Sequence, residues 1–267
     1  MLRSLAGLTA FCALLALGSA EPVAPTYDNL NAVLWMQTAV EYRANAEQTY
    51  HAAETALLRG LKNPHWTAAL EQTGDFRSLP PAVILDLDET VLDNSVFQAR
   101  ETASGESYSP TRWNDWMNER AAGLVPGAKD FLEFALAHQV TPLYITNRLC
   151  DPAKEDDPTV GVLRKLGLPL DGPPERLFCD DGNKGDKTAR RRNCTAKFRI
   201  LLMLGDQLGD FLQIPAAYAD LAGRDKLLEA NEKKWGERWF QLPNPAYGSW
   251  EDAVGSTLAA KLKHLHQ

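Results

Sequence analysis

The run Asp86-Leu87-Asp88-Glu89-Thr90 sets two carboxylates two residues apart, with a third acid and a hydroxyl behind them. Thr146-Asn147-Arg148, Lys187, Gly205-Asp206 and Asp210 follow along the chain. Carboxylates gathered in one place repel unless a cation joins them. Hard oxygen ligands without histidine or cysteine suit Mg²⁺, which takes few carboxylates and completes its shell with water and a phosphate oxygen. In such a pocket one carboxylate can attack phosphorus and another can protonate the leaving oxygen. A lysine and a hydroxyl can neutralise and orient the phosphoryl oxygens.

These residues need elements that bring them to one rim. AVILDLD (82–88), VTPLYITN (140–147) and RILLMLGD (199–206) are short apolar runs that read as strands buried on both faces, and ERLFC (175–179) is a weaker version. Helical stretches lie between them at 127–139, about 158–166 and about 186–197. Alternation of this kind predicts a parallel sheet with helices on both faces. Ligands of such sheets bind beyond the carboxyl ends of the strands, where the acids, Thr146 and Lys187 fall. Asp86 and Asp88 share a face if the first strand stays regular; a bend would instead bring both to the rim by different routes. Residues 28–61, with Asp28 as cap, read as one long helix or two abutting ones. After Pro215 come a helical stretch at about 220–235 and then WFQLPNPAYGSW, a fifth strand and a turn.

The chain has 267 residues, 45% hydrophobic and 24% charged, enough for a sizeable core. A formal charge of −7 argues against binding to nucleic-acid polymers, and four cysteines are too few for a disulfide-packed miniprotein. Residues 1–20 combine Arg3, the apolar run LAGLTAFCALLAL and Gly18-Ser19-Ala20, the layout of a secretory signal cleaved near Ala20. Phe11 before Cys12 spoils a lipobox, so no stable membrane anchor is expected, and the protein is read as periplasmic or secreted. An oxidising compartment would allow one disulfide among Cys150, Cys179 and Cys194, with Cys179 able to pair with either neighbour. The division expected is a signal at 1–20, a helical region at 21–79, a catalytic core at 80–216 and a segment at 217–267 that completes core and helical region.

LDLDETVLDNS, YITNR, GDKTARR and MLGDQLGDF, in that order, resemble the four motifs of the haloacid dehalogenase superfamily. The longer DLDETVLDNS, the preface LNAVLWMQTAVEYRA and the late QLPNPAYGSWE resemble the class C acid phosphatases, which include outer-membrane nucleotidase lipoproteins. The resemblance spans essentially the whole mature chain. It implies a Rossmann-like five-stranded parallel sheet, with a helical cap from the N- and C-terminal segments. Asp86 would be the nucleophile, and Asp88 the general acid and later base, with its main-chain carbonyl on Mg²⁺. Thr146, Asn147 and Lys187 would bind the phosphate, Asp206 would ligate the metal, and Asp210 would support its waters or Lys187. Lys184 competes with Lys187, which fits the motif and a helix start better.

The implied activity is hydrolysis of phosphomonoesters, nucleoside 5′-monophosphates foremost, with an acid optimum. Tyr108 and Tyr247 match aromatics that clamp a base in the nucleotidases, or else they pack a lid. Relatives suggest a homodimer. A broader phosphatase or phosphotransferase differs only in acceptor, and a storage or binding protein on the same fold would show a damaged first motif, whereas Asp86 and Asp88 are intact. Gln207 stands where asparagine is common. Arg190, Arg191 and Arg192 are expected on a solvated helix face, and Trp35, Trp113 and Trp116 in packing.

Overall fold

The computed structural model describes residues 29–170, 172, 175–180, 182, 185–255 and 257–265. The signal at 1–20, the capping Asp28 and Lys184 lie outside the described residues.

Of the two readings of the N-terminal stretch, the structure shows two abutting helices, α1 (Leu30–Thr38) and α2 (Val40–Lys62). They part at Ala39, whose backbone is extended at φ −80° and ψ 128°. The turn there brings Trp35 edge-on to Tyr42, with ring centroids 5.5 Å apart. Along α2 the small residues Ala46, Ala53 and Ala56 are fully buried. They let the helix lie close against the sheet while Tyr50 and Leu57 fill the remaining space.

Strand β1 (Pro81–Leu85) is followed by β2 (Leu92–Asp93), α3 (Ser95–Ser104), α4 (Pro110–Glu119) and β3 (Gly123–Leu124). β2 and β3 pair as a short antiparallel hairpin, so α3 and α4 form an insert held at its base. The regular alternation then runs α5 (Ala128–Ala137), β4 (Thr141–Ile145), α6 (Pro158–Lys165), β5 (Leu177–Phe178), α7 (Thr188–Thr195), β6 (Arg199–Gly205) and α8 (Leu208–Phe211). After α9 (Leu221–Ala230) come β7 (Trp239–Gln241), α10 (Ser249–Val254) and α11 (Leu258–Lys263).

The five long-range strands are parallel, in the order β5-β4-β1-β6-β7. Their side chains alternate between two cores. Val83, Leu85, Tyr144, Leu202 and Leu204 face α2, α5 and α6, whereas Ala82, Ile84, Leu143, Ile145, Ile200 and Met203 face Cys194, Phe211 and Trp239. Burial on both faces explains why these strands carry unbroken apolar runs. The fifth strand comes from the C-terminal segment, which thereby completes the sheet.

Cys150 pairs with Cys179, and Cys194 is a buried free thiol whose pKa burial pushes up to about 12. The bridge joins the loop after β4 to the end of β5 and spans 29 positions of sequence. Replacing both cysteines by alanine should cost about 3 kcal/mol through the freed unfolded chain. A lower urea midpoint with a steeper slope, as the unfolded chain expands, is the expected result, and an unchanged midpoint would show the bridge to be thermodynamically idle.

Candidate active site

The first strand stops earlier than its sequence suggests. Asp86 still donates its N–H to Leu204 O (3.0 Å), but Leu87 O then gathers the N–H groups of Val91 and Leu92, each at 2.8 Å, and the chain turns. Glu89 sits in left-handed backbone at φ 55° to make that turn. Asp86 and Asp88 therefore reach the rim through a bend and do not share a regular strand face. A continuing ladder would hold the acids inside the sheet, away from any ligand.

Asp86, Asp206 and Asp210, all buried, each offer a carboxylate oxygen within 4.8 Å of the other two. Lys187, at the start of α7, donates to Asp86 and to Asp210 Oδ1 (2.7 Å). Three carboxylates against one ammonium leave two negative charges in excess in a buried site. Burial, opposed by Lys187 but reinforced by the neighbouring acids, holds Asp86 well above the usual carboxylate range. Asp206 is pushed up to about 7 by burial and by Asp210, against hydrogen bonds from Asn244 and Gln207. Burial alone would lower Lys187, yet Asp210 and Asp86 outweigh it and keep the ammonium charged. An excess of two charges on oxygen donors, without nitrogen or sulfur, fits a hard divalent cation.

Each acid is held in place. Asp206 Oδ2 accepts from Gln207 Nε2 (2.9 Å) and Asn244 Nδ2 (2.8 Å). Asp210 Oδ2 accepts the N–H of Gln207 (2.8 Å), while its other oxygen takes Lys187. Gln207 also reaches across to Tyr247 O (3.2 Å) and accepts from Ser249 N (3.1 Å), tying this motif to the C-terminal loop. A shorter asparagine would lose one methylene of that reach. Sequence reasoning singled out neither Asn244 nor the bridging role of Gln207; the signal available was their place between a strand end and a turn.

Thr146 is fully buried, its hydroxyl accepting from Arg148 N (3.1 Å), and it stands behind the cavity wall. Asn147 lines the cavity, with its Oδ1 taken by Arg190 NH2 (2.9 Å), so its amide N–H₂ remains to donate.

The arginines of α7 depart from expectation. Arg192 is exposed, but Arg190 and Arg191 are buried. Arg190 donates to Thr146 O and to Asp186 O (3.1 Å), bracing the phosphate-side loop. Arg191 donates to Glu71 Oε1 (2.8 Å), Gly209 O (3.0 Å) and Asp210 O (3.2 Å), so it carries the turn of the last motif. A guanidinium's five donors can satisfy several carbonyls at once, which a charge-run reading of RRR overlooks. Arg191→Ala should destabilise the protein by about 3 kcal/mol or more, because it strands Glu71 and two carbonyls. Chemical denaturation checks this, and a cost under about 1 kcal/mol would place the pair with solvent-screened bridges.

Asp88 stands apart from the acid cluster, its carboxylate gripped by Arg148 Nε (3.0 and 3.1 Å) and NH2 (2.6 Å). Tyr247 donates its hydroxyl to the buried Glu89, which also accepts from Asn94 N (3.0 Å). Burial, then Asp88 and Asp206, raise Glu89 well above the ordinary range. Tyr108 lies at the lip, 60% exposed. Both tyrosines border one cavity of about 880 Å³ that opens above Asp86, Asp206 and Lys187. Its walls come from the C-terminal segment through Tyr247, Gly248 and Ser249 and from the insert through Phe97, Gln98 and Trp113, while Asn29 is the one contribution of the N-terminal segment among the described residues. Trp116 is buried beneath and donates to Asn94 Oδ1 (2.9 Å).

A parallel sheet with buried aspartates and one lysine at its carboxyl rim defines a phosphoryl-transfer hydrolase that forms an acyl-phosphate on aspartate. Residues 20–250 match the family described as HAD superfamily, subfamily IIIB (acid phosphatase), and the chain belongs to that family. Solved structures similar to it include two from Bacillus anthracis. The class C acid phosphatase from Bacillus anthracis is 32% identical, with a TM-score of 0.75 over 92% of this chain and 99% of that one. The same organism's class C acid phosphatase with tungstate bound is 31% identical, with a TM-score of 0.77 over the same shares.

Proposed function

We propose that the protein is an exported, Mg²⁺-dependent acid phosphatase that hydrolyses phosphomonoesters, nucleoside 5′-monophosphates foremost. The observation that carries the metal and phosphate reading is the buried trio Asp86, Asp206 and Asp210 around Lys187, with its two uncompensated charges. Tungstate, a tetrahedral oxyanion like phosphate, in the Bacillus anthracis relative supports it. Asp86 attacks phosphorus and becomes the aspartyl-phosphate. Asp88 gives its proton to the leaving oxygen, then takes one from the water that cleaves the acyl-phosphate. Lys187 and the Asn147 amide hold the phosphoryl oxygens, with Thr146 shaping the loop behind them. Mg²⁺ would sit on Asp86, Asp206 and the Asp88 main-chain carbonyl, and there it would supply Lewis-acid neutralisation of the phosphoryl charge.

The Cys150–Cys179 bridge supports export, since such bonds persist in oxidising compartments, and the signal-like segment at 1–20 agrees. Among the described residues no helix is long and apolar enough to cross a membrane. The nucleotide preference draws on the large cavity bordered by Tyr108 and Tyr247. A phosphate-release screen with and without Mg²⁺, over nucleoside monophosphates, sugar phosphates and aryl phosphates, tests the whole reading. Release abolished by EDTA, with nucleotides favoured and Tyr247→Ala erasing that preference, is expected. Equal turnover of all esters, untouched by Tyr247→Ala, would leave a broad phosphatase without a base clamp.

A further inference from the structure

Arg148 is nearly sealed from solvent, its side chain 2% exposed, yet it borders the cavity. Its contacts with Asp88 are uneven. Oδ1 accepts from Arg148 NH2 (2.6 Å), Arg148 Nε (3.0 Å) and Asn94 Nδ2 (2.8 Å). Oδ2 accepts only Arg148 Nε, at 3.1 Å, among the described residues. An oxygen saturated with donors has no room for a proton, so the proton Asp88 exchanges belongs on Oδ2.

The arginine is itself over-determined. Its guanidinium lies over the Trp113 ring, 5.3 Å from the centroid, and NH2 also donates to Asn94 Oδ1 (3.3 Å). Its N–H donates to Thr146 Oγ1, its carbonyl accepts Asp180 N (3.0 Å), and the disulfide at Cys150 clamps the loop two residues on. A planar fork fixed in this way sets the plane of the carboxylate it holds.

We infer that Arg148 is the positioning residue of the general acid: it saturates Asp88 Oδ1 and thereby leaves Oδ2 as the oxygen that hands a proton to the leaving group. The inference rests on the phosphatase reading above, in which Asp88 serves as that acid. It treats Arg148 as acting through Asp88, without contact to the phosphoryl group.

Leaving-group dependence separates this role from a structural or phosphate-binding one. Aryl phosphates with acidic phenols leave without protonation, whereas alkyl phosphates need it. Full-length Arg148→Lys, which keeps the charge but loses the fork, should lower kcat/KM, which reports acyl-phosphate formation without the later attack of water, about 10²-fold on alkyl phosphates and under about 10-fold on aryl phosphates. Competitive inhibition by inorganic phosphate should stay near wild type. Trp113→Leu, which removes the platform and spares the Arg148–Asp88 pair, should show the same selectivity to a smaller degree. Adding Arg148→Lys to Asp88→Asn should cost little further.

A uniform loss of kcat/KM across the series would overturn the proposal in favour of a structural role. Weaker competitive inhibition by inorganic phosphate would overturn it in favour of direct phosphate binding, and unchanged kinetics would overturn it outright. Failure of the phosphatase reading shows separately, as absent Mg²⁺-dependent phosphate release by the wild-type protein.

Discussion

Asp86→Asn should abolish phosphate release, with a loss of at least about 10⁴-fold, because a carboxamide cannot form the acyl-phosphate. The substitution preserves shape and removes one of three crowded negative charges. Lys187 keeps its bond to Asp210 Oδ1 at 2.7 Å, so the ammonium is not left unpaired. The variant should therefore fold as the wild type does, with an equal or higher melting temperature in metal-free buffer. Mass spectrometry of acid-quenched turnover should find a phosphate adduct on the wild-type chain and none on the variant. Retention of more than about a hundredth of the activity would remove Asp86 from the role of nucleophile.

Without metal, the protein should lose stability as pH rises from about 4 to about 7. The folded state raises Asp206 from its ordinary value of 3.8 to about 7, first by burial and then by the charge of Asp210. A raised folded-state pKa means that the native chain holds the proton more tightly than the unfolded chain does. The stabilisation is complete below the unfolded value and is lost as pH climbs through the folded one. Its ceiling is on the order of 4 kcal/mol. Asp86 shifts in the same direction and adds to the trend. Urea titrations in EDTA at pH 4, 5.5 and 7.5 should show falling midpoints, and millimolar Mg²⁺ at pH 7.5 should restore what was lost. A flat profile in EDTA would mean that the three carboxylates do not share one buried field.

Strands were the most legible part of the chain. Continuous apolar runs such as RILLMLG have one comfortable home, a strand covered on both faces, and all seven residues of β6 are buried. The acids at the strand ends followed from the same logic. The insert was not legible, because α3 and α4 are short and each carries few large apolar residues in its ten: SVFQARETAS and PTRWNDWMNE. Their signals were local, Ser109 accepting from Arg112 N ahead of Pro110 in the first turn, and Gly105 in left-handed backbone closing α3. The site's supporting polar contacts were equally hidden. Arg191 and Asn244 lie far from their carboxylate partners in sequence, and no spacing rule links Arg191 to Glu71 or Asn244 to Asp206. Long-range hydrogen bonds leave no periodic trace. The break at Ala39 is a third case, for neither proline nor glycine marks it.

The edge strand β7 is delivered late, by residues 239–241, and Trp239 is fully enclosed where it lands. Its indole donates to Ala68 O (2.9 Å), a group made near the start of the chain, and its ring tilts against Phe211 at 5.5 Å. Until residues 239–241 arrive, everything from α2 to α9 therefore has one flank of the sheet bare. A chain arrested before Trp239 would present an unpaired β6 backbone to any neighbour, an open template for aggregation. Completion of the sheet accordingly waits on a contact between residues 171 positions apart, Trp239 with Ala68.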